Sequence, residues 1–568
     1  MSAPYAVHRG AAGAVPAAGR RLPRPPAEIA VPGLAALVAG LWSLGSPPLW
    51  RDEAATVSAI VRSLPELLHL LESVDAVHGA YYALMHGLAA LLGTGPVGLR
   101  LPSVVFAALA AAGVGALGRA LGHPRAGLYG GVLLAGMPIF SRYAQEARPY
   151  ALALAVAVGA TLLLVRALRR RTAGAFALYG LAVAALGHVN LFAGLIVAAH
   201  GCFTLLTRGP VVRWCAAAGA ALAAVAPLAW VASRQRAQIG WIPRPDLADA
   251  GMLAVRLFGD VGALRPAWLG LAPLIWALAV CGAVRLARGG ADGLHRRCGG
   301  DPGVVSPPGR PLLALALPWL LVPPLTLLAV SWAAQPVYVF RYVLCCVPAA
   351  ALLAGAGLAA LPGKAVPGVL AAGLALSLPG HAAVRGPEGR QDDPGPVVRL
   401  VAAAARPGDG VLFVPARVRK YAVVYPEVFG RLTDVALATS PERHGSFTGR
   451  QVGRRRLVAR LHGLRTVWVV GHTGATRLSE RRFRLLSRSF VHTGQWRFRG
   501  MFVARFVARS QVSSNGAGVG KYASRNRLSS SSCSGVVGAV SLRQNASCLR
   551  RASMRRSFAG VLRRERST

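Results

Sequence analysis

Acidic residues are scarce in this chain of 568: Asp and Glu total 21 against 64 Lys and Arg, a formal charge of +43. Between residues 31 and 384 eleven acids occur, and none falls in the middle of an apolar run. That excludes a proton pump with a carboxylate at membrane depth. The eight cysteines show no metal-ligand spacing, which argues against a zinc site or a disulfide framework. Several of them, such as Cys345 and Cys346, sit in or beside apolar runs, where a small polarizable side chain packs well. Strand-type alternation is missing, so an outer-membrane barrel is excluded. Residues 1–32 are Pro/Ala/Arg-rich, have no signal-cleavage pattern, and read as a cytoplasmic tail before an uncleaved first span.

What is abundant is apolar sequence. The chain is 54% hydrophobic with a mean hydropathy of +0.46. Apolar runs near the ~20 residues that a bilayer helix requires recur from about 31 to 384. The expected fold is a polytopic α-helical membrane protein. The arginines lie largely in short loops and tails, where basic residues set topology, so the large charge is not a nucleic-acid signal. Placing the basic clusters inside gives eleven spans, near 33–49, 101–118, 126–140, 151–166, 175–188, 191–207, 214–232, 267–284, 312–333, 342–361 and 366–384. Segment 78–93 is too short for a comfortable span and reads as an interfacial helix within a long outer loop, 50–100.

Residues 385–508 change character. Turn signals (RPGDG, GHTG) separate β-rich runs at 411–414, 466–470 and 501–507 from a helical stretch at 454–461. A small extracytoplasmic α/β domain is expected there. The Ser/Arg-rich segment 509–568 reads as disordered. The domain plan is therefore a tail (1–32), a transmembrane domain (33–384), an α/β domain (385–508) and a disordered tail.

Nine of the eleven acids fall on the outer side, so chemistry is expected at the outer membrane surface. PLWRDEAATVSA places Asp52 and Glu53 directly after a span. Either Asp52 caps the next helix, with Glu53 favouring its first turn, or a carboxylate at the lip acts as general base. Partial burial there would raise its basicity. In DAVHGAYY, Asp75, His78, Tyr81 and Tyr82 are either an interfacial belt or a wall for a sugar. RYAQEARPY puts Arg142, Glu146, Arg148 and Tyr150 in one outer loop against the charge rule. Its arginines offer forked donors for phosphate, or else a local Arg–Glu pair. Arg100 and Arg341 are further outer arginines at span ends, phosphate ligands or snorkelling side chains. Trp241, in QIGW, is a candidate gate or acceptor wall.

The DE pair, DxVHGxYY, RLPS and RYAQEARPYAL together resemble the C-type (GT-C) glycosyltransferases. Within them the chain is most similar to the bacterial mannosyltransferase-like branch, related to dolichyl-phosphate-mannose protein mannosyltransferases and aminoarabinose transferases. The resemblance implies a plasma-membrane enzyme with an extracytoplasmic site. It would take a polyprenyl-phosphate sugar, mannose by resemblance, and transfer it with inversion to a glycan, lipoglycan or protein hydroxyl. Asp52 then matches the catalytic base and Glu53 its partner, while Arg100, Arg142, Arg148 and Arg341 match the phosphate-binding parts. Asp75, His78, Tyr81, Tyr82, Glu146, Tyr150 and Trp241 would face substrate. No cofactor is implied, and a metal is not chemically required because a lipid phosphate is already a competent leaving group. The rival readings are a flippase for a lipid-linked saccharide and a non-catalytic binder of cell-wall glycan.

Overall fold

The computed structural model describes residues 25–246, 255, 271–295, 310–386, 389–474 and 476–514. A helix coincides with each of the eleven predicted spans. In chain order they include α1 (Ala27–Leu41), α5 (Pro96–Ala120), α6 (Pro124–Gly136), α8 (Tyr150–Arg170), α9 (Ala173–Val189), α10 (Ile196–Leu206) and α11 (Val211–Arg234). They continue with α12 (Leu271–His295), α13 (Arg310–Ala333), α14 (Val347–Ala359) and α15 (Val366–Arg385). Among the described residues seven helices are long and apolar enough to cross a membrane: α5, α8, α11, α12, α13, α15 and the run Phe340–Ala359 that ends in α14. This is a membrane protein.

The first span differs from expectation. Helix α1 begins at Ala27, inside the expected tail, and ends at Leu41. Residues 42–50 are irregular because Gly45, Ser46, Pro47 and Pro48 cannot prolong a helix. Their carbonyls are therefore free to bond elsewhere, a point that matters at the site. The outer loop contains three helices, α2 (Arg51–Ile60), α3 (Leu64–Ser73) and α4 (Gly79–Leu92), the last on the expected interfacial segment.

Small residues set the packing of the bundle. Helix α14 is buried almost throughout, and a Cβ on its Gly357 would lie 1.9 Å from the Leu278 carbonyl oxygen of α12. A Cβ on Gly355 would lie 2.2 Å from the Ala126 carbonyl oxygen of α6. Backbones thus meet on two sides of one helix, the close approach that drives helix association in lipid. One polar cluster within the bundle is paired internally: His200 bonds to Thr161 and Tyr179, each at 3.1 Å, and Tyr179 accepts from Trp214 at 3.2 Å.

Beyond helix α16 (Gly395–Ala404) the chain forms a mixed five-stranded sheet. Its strands are β1 (Gly410–Val414), β2 (Thr433–Asp434), β5 (Thr466–His472), β6 (Phe490–Phe498) and β7 (Met501–Ala508), in the order β2-β1-β5-β7-β6. Strand β1 pairs in parallel with β2 and β5, and β5 pairs antiparallel with β7. Strands β3 (Leu437–Thr439) and β4 (Arg450–Gln451) form a separate ribbon. Every residue of β1 and β5 is buried, as in strands covered on both faces. The core of this domain includes Phe413, Tyr421, Trp468 and Val503, and also Ala54 of α2, so the sheet domain packs directly on the outer loop. Residues from Ala508 onward form a second unit. Arg509–Ser514 is helical, and the rest of that segment lies outside the described residues.

Candidate active site

The first turn of α2 sends three consecutive side chains in three directions. Glu53 points into the bundle and is fully buried. Its Oε1 accepts from Arg100 Nε (2.7 Å) and the Ala147 amide (3.0 Å), and its Oε2 from Arg100 Nη2 (2.6 Å) and the Trp50 amide (3.4 Å). Burial pushes the Glu53 carboxyl up, but Arg100 outweighs it and holds it below the usual carboxylate range. Ala54 packs into the sheet domain. Asp52 is half-buried, and its carboxylate takes no hydrogen bond from any described residue.

The cap of α2 comes from elsewhere. Asp392, on the connection from α15, accepts from the Arg51 amide at 3.3 Å and from the Tyr421 hydroxyl at 2.7 Å. A buried carboxylate at the positive end of α2 fixes the helix that carries Asp52. Capping by Asp52 itself is thereby corrected: it sits one residue too far into the helix.

Around Asp52 lie Arg148, Arg341, Lys420 and Arg51. Burial pushes the Asp52 carboxyl up, yet these cations together hold it below its ordinary value. The expectation that burial would make Asp52 more basic is reversed, because four nearby cations together exceed the desolvation cost. Arg148 donates to the Tyr82 hydroxyl (3.2 Å) and to His78 Nε2 (2.8 Å), and Tyr82 donates to Asp75 Oδ2 (2.8 Å). Since arginine only donates, His78 Nε2 must accept, which leaves the ring proton on Nδ1. That Nδ1 is buried without a partner. Burial, then Arg148, lowers the His78 pKa to about 4, so the ring is neutral. Asp75 is left-handed (φ 57°), and its amide and that of Ala76 donate to Gln238 (3.2 Å) and Gln235 (3.0 Å) just beyond α11.

Arg341 precedes α14 in the 3-10 segment Phe340–Cys346. Its guanidinium lies 5.6 Å from the Trp241 ring and 5.7 Å from the Tyr342 ring, with no hydrogen bond or ion pair to a described residue. Beside it runs an apolar cleft lined by Ile139, Phe140, Tyr143, Tyr150, Leu344 and Val347. Lys420 enters from the sheet domain, on the short helix Lys420–Val424 that packs against α2.

Several candidates are placed otherwise than expected. Arg100 is fully engaged: besides Glu53 it donates to the carbonyls of Leu44 (3.0 Å), Pro47 (2.8 Å) and Pro48 (3.3 Å). All five of its N–H donors are used, so it has none for a phosphate. Glu53 likewise has both oxygens occupied by fixed donors. Arg142 pairs with Glu146 at 3.0 Å and lies over the Trp50 ring, so the local ion pair is the outcome for both. Tyr81 and Tyr82 are 1% and 0% exposed and present no face to a sugar. Tyr150 is buried in an edge contact with Tyr143 (4.8 Å) and borders the cleft. Trp241 is exposed. Among the described residues no group of three or more His, Cys, Asp and Glu is placed to hold a metal. Sequence reasoning missed Lys420, Asp392 and the two glutamines. The one available signal was composition: Lys420 is one of three lysines, with Lys364 and Lys521, in an arginine-dominated chain.

Comparison with known proteins agrees with this architecture. ArnT from Cupriavidus metallidurans superposes with a TM-score of 0.51 at 14% identity, over 84% of this chain and 97% of ArnT. The chain has the GT-C glycosyltransferase fold. ArnT bound to undecaprenyl phosphate matches equally (TM-score 0.51, 15% identity, 84% and 97% covered). An oligosaccharyltransferase from Archaeoglobus fulgidus reaches a TM-score of 0.44 at 12% identity, with 84% and 72% covered. Residues 80–234 match the family model for dolichyl-phosphate-mannose-protein mannosyltransferase. The matched stretch runs from α4 to the end of α11 and includes Arg148 but not Asp52, Arg341 or Lys420. No curated protein matches the sequence.

Proposed function

We propose that this protein is a membrane glycosyltransferase that moves a sugar from a polyprenyl-phosphate donor to an acceptor hydroxyl at the outer membrane face, with Asp52 as general base. The observation that carries the reading is the contrast between neighbours: Glu53 has both oxygens occupied, while Asp52 is unengaged among cations that have no carboxylate bonded to them. The fold match to ArnT, captured with undecaprenyl phosphate, and the match of 80–234 to a mannosyltransferase family support the donor class and make mannose the first sugar to test.

In the reaction proposed, Asp52 takes the acceptor O–H proton as the acceptor oxygen attacks the anomeric carbon from the face opposite the phosphate. The C–O bond to phosphate breaks, and its electron pair stays on the phosphate oxygen. The donor phosphodiester monoanion becomes a phosphomonoester dianion, and the sugar inverts. Arg341 and Arg148 stabilise the charge that develops on the leaving oxygen, an electrostatic contribution that often dominates catalysis. His78 Nδ1–H, its tautomer fixed by Arg148, offers one hydrogen bond to the donor.

The test is transfer from radiolabelled polyprenyl-phosphate mannose to a membrane acceptor fraction by purified protein, with Asp52→Asn alongside. Transfer is expected from the wild type and a drop of about 10²–10⁴-fold in the variant. Undiminished transfer by Asp52→Asn removes Asp52 as base. No turnover with any polyprenyl-phosphate sugar favours a flippase or a glycan-binding scaffold.

A further inference from the structure

The short helix Lys420–Val424 packs on α2 with no membrane helix between them. Tyr421, its second residue, donates to Asp392, the carboxylate that caps α2. Lys420, its first, stands beside the unengaged carboxylate of Asp52. Its ammonium rests 5.5 Å from the Phe447 ring, which also belongs to the sheet domain. It is half-buried and makes no hydrogen bond or ion pair with any described residue. Its ammonium therefore faces nearby carboxylates while keeping its three donors uncommitted. The facing charged groups are Asp52, Asp75 and Asp392, with Arg148 opposing them.

We infer that Lys420 is a ligand of the lipid-borne phosphate, so that the sheet domain is a component of the catalytic centre rather than an appendage to the membrane bundle. The inference rests on the donor class proposed above and deepens it. Three donors from three parts of the chain then converge on one phosphate: Arg148 from the loop before α8, Arg341 from the segment before α14, and Lys420 from the sheet domain. A compact ammonium on a flexible stem is suited to follow a phosphate whose charge grows during the reaction, whereas the two guanidiniums have more rigid forks. The docking of Ala54 and Asp392 holds the domain, and with it Lys420, in register with Asp52.

The test uses the purified full-length protein in neutral detergent. Binding of farnesyl phosphate, farnesol and phosphatidylglycerol is measured by calorimetry for the wild type, Lys420→Gln, Lys420→Arg and a remote control, Arg455→Gln on the exposed helix Arg454–Leu461. Lys420→Gln is expected to weaken farnesyl phosphate about tenfold or more, the loss of one charge-assisted bond. Farnesol affinity should stay unchanged, Lys420→Arg should retain most of the binding, and Arg455→Gln should match the wild type. Wild-type binding by Lys420→Gln overturns the inference. So does an equal loss in Lys420→Arg, which would mark a packing role, or equal binding of phosphatidylglycerol, which would assign the lysine to bilayer headgroups. If Lys420 governs farnesyl phosphate binding but no sugar is transferred from any donor, the transferase reading fails and this one stands.

Discussion

Arg100→Gln separates a structural arginine from a phosphate ligand. Arg100 and Glu53 are both 0% exposed and share a two-pronged ion pair of 2.7 and 2.6 Å. Removing the cation leaves the Glu53 charge buried with two amide donors, and deprives the Leu44, Pro47 and Pro48 carbonyls of their partner. Breaking a buried pair in this way costs about 3–5 kcal/mol. Glu53→Gln is milder, because a glutamine oxygen still accepts from Arg100 and the three carbonyls still solvate the guanidinium. A loss of about 1.5–3 kcal/mol, the scale of hydrogen bonds to charged groups, is expected. The double variant removes both charges at once, so it should be more stable than the sum of the singles by about 1–3 kcal/mol. Detergent-solubilised protein, unfolded by heat or denaturant, reports the stabilities, and farnesyl phosphate titration reports binding by the folded fraction. The reasoning is refuted if Arg100→Gln leaves stability unchanged while weakening farnesyl phosphate, or if the two losses simply add.

The pH dependence of transfer follows from the same charges. The cations around Asp52 lower its pKa, so its base form persists as pH falls through the ordinary aspartate range. The profile of kcat/KM should stay flat down to about pH 4, whereas bound donor phosphate offsets the cations and moves the acid limb of kcat to higher pH. Coincident limbs, or a limb near the ordinary histidine value, would contradict this, since His78 stays neutral above about 4. Arg341→Gln should lower kcat by about 10²–10³-fold, the effect of removing one donor at a developing anion, with the thermal unfolding midpoint little changed because Arg341 has no internal hydrogen bond to lose. An equal loss in stability would make Arg341 structural instead.

The architecture was legible because it is written locally. Apolar runs marked the helices, and the run at 454–461 is the helix Arg454–Leu461 residue for residue. The β-rich runs at 411–414 and 466–470 lie in strands β1 and β5. The Arg142–Glu146 pair was also visible, as oppositely charged residues four apart. What sequence did not reveal is which outer arginines are free. Arg100 and Arg341 look alike as lone cations at span ends, yet one is consumed by a proline-rich linker and a glutamate while the other lies against Trp241 and Tyr342 with no hydrogen bond to a described residue. That difference is made by tertiary contacts between distant segments. Tyr81 and Tyr82 misled for the opposite reason: an aromatic pair suits a sugar wall or a core equally well, and burial in α4 decides for the core.

The charges at the site also fit the reaction proposed for it as a set. Four cations, Arg51, Arg148, Arg341 and Lys420, gather near three carboxylates, Asp52, Asp75 and Asp392, so these side chains together have one positive charge in excess. A donor phosphodiester brings one negative charge and neutralises it. During transfer Asp52 loses its charge by taking the acceptor proton, while the departing phosphate gains a second charge. The total does not change, and the negative charge only moves from the carboxylate to the phosphate within reach of the same cations. Creating a new ion in a half-buried site would be expensive, whereas shifting charge between two partners of fixed donors requires little reorganisation. On this view the depressed pKa of Asp52 does not oppose its role as base. The cations that depress it are released to the leaving group as the proton arrives, so weakening any of them should slow departure of the phosphate while raising the Asp52 pKa.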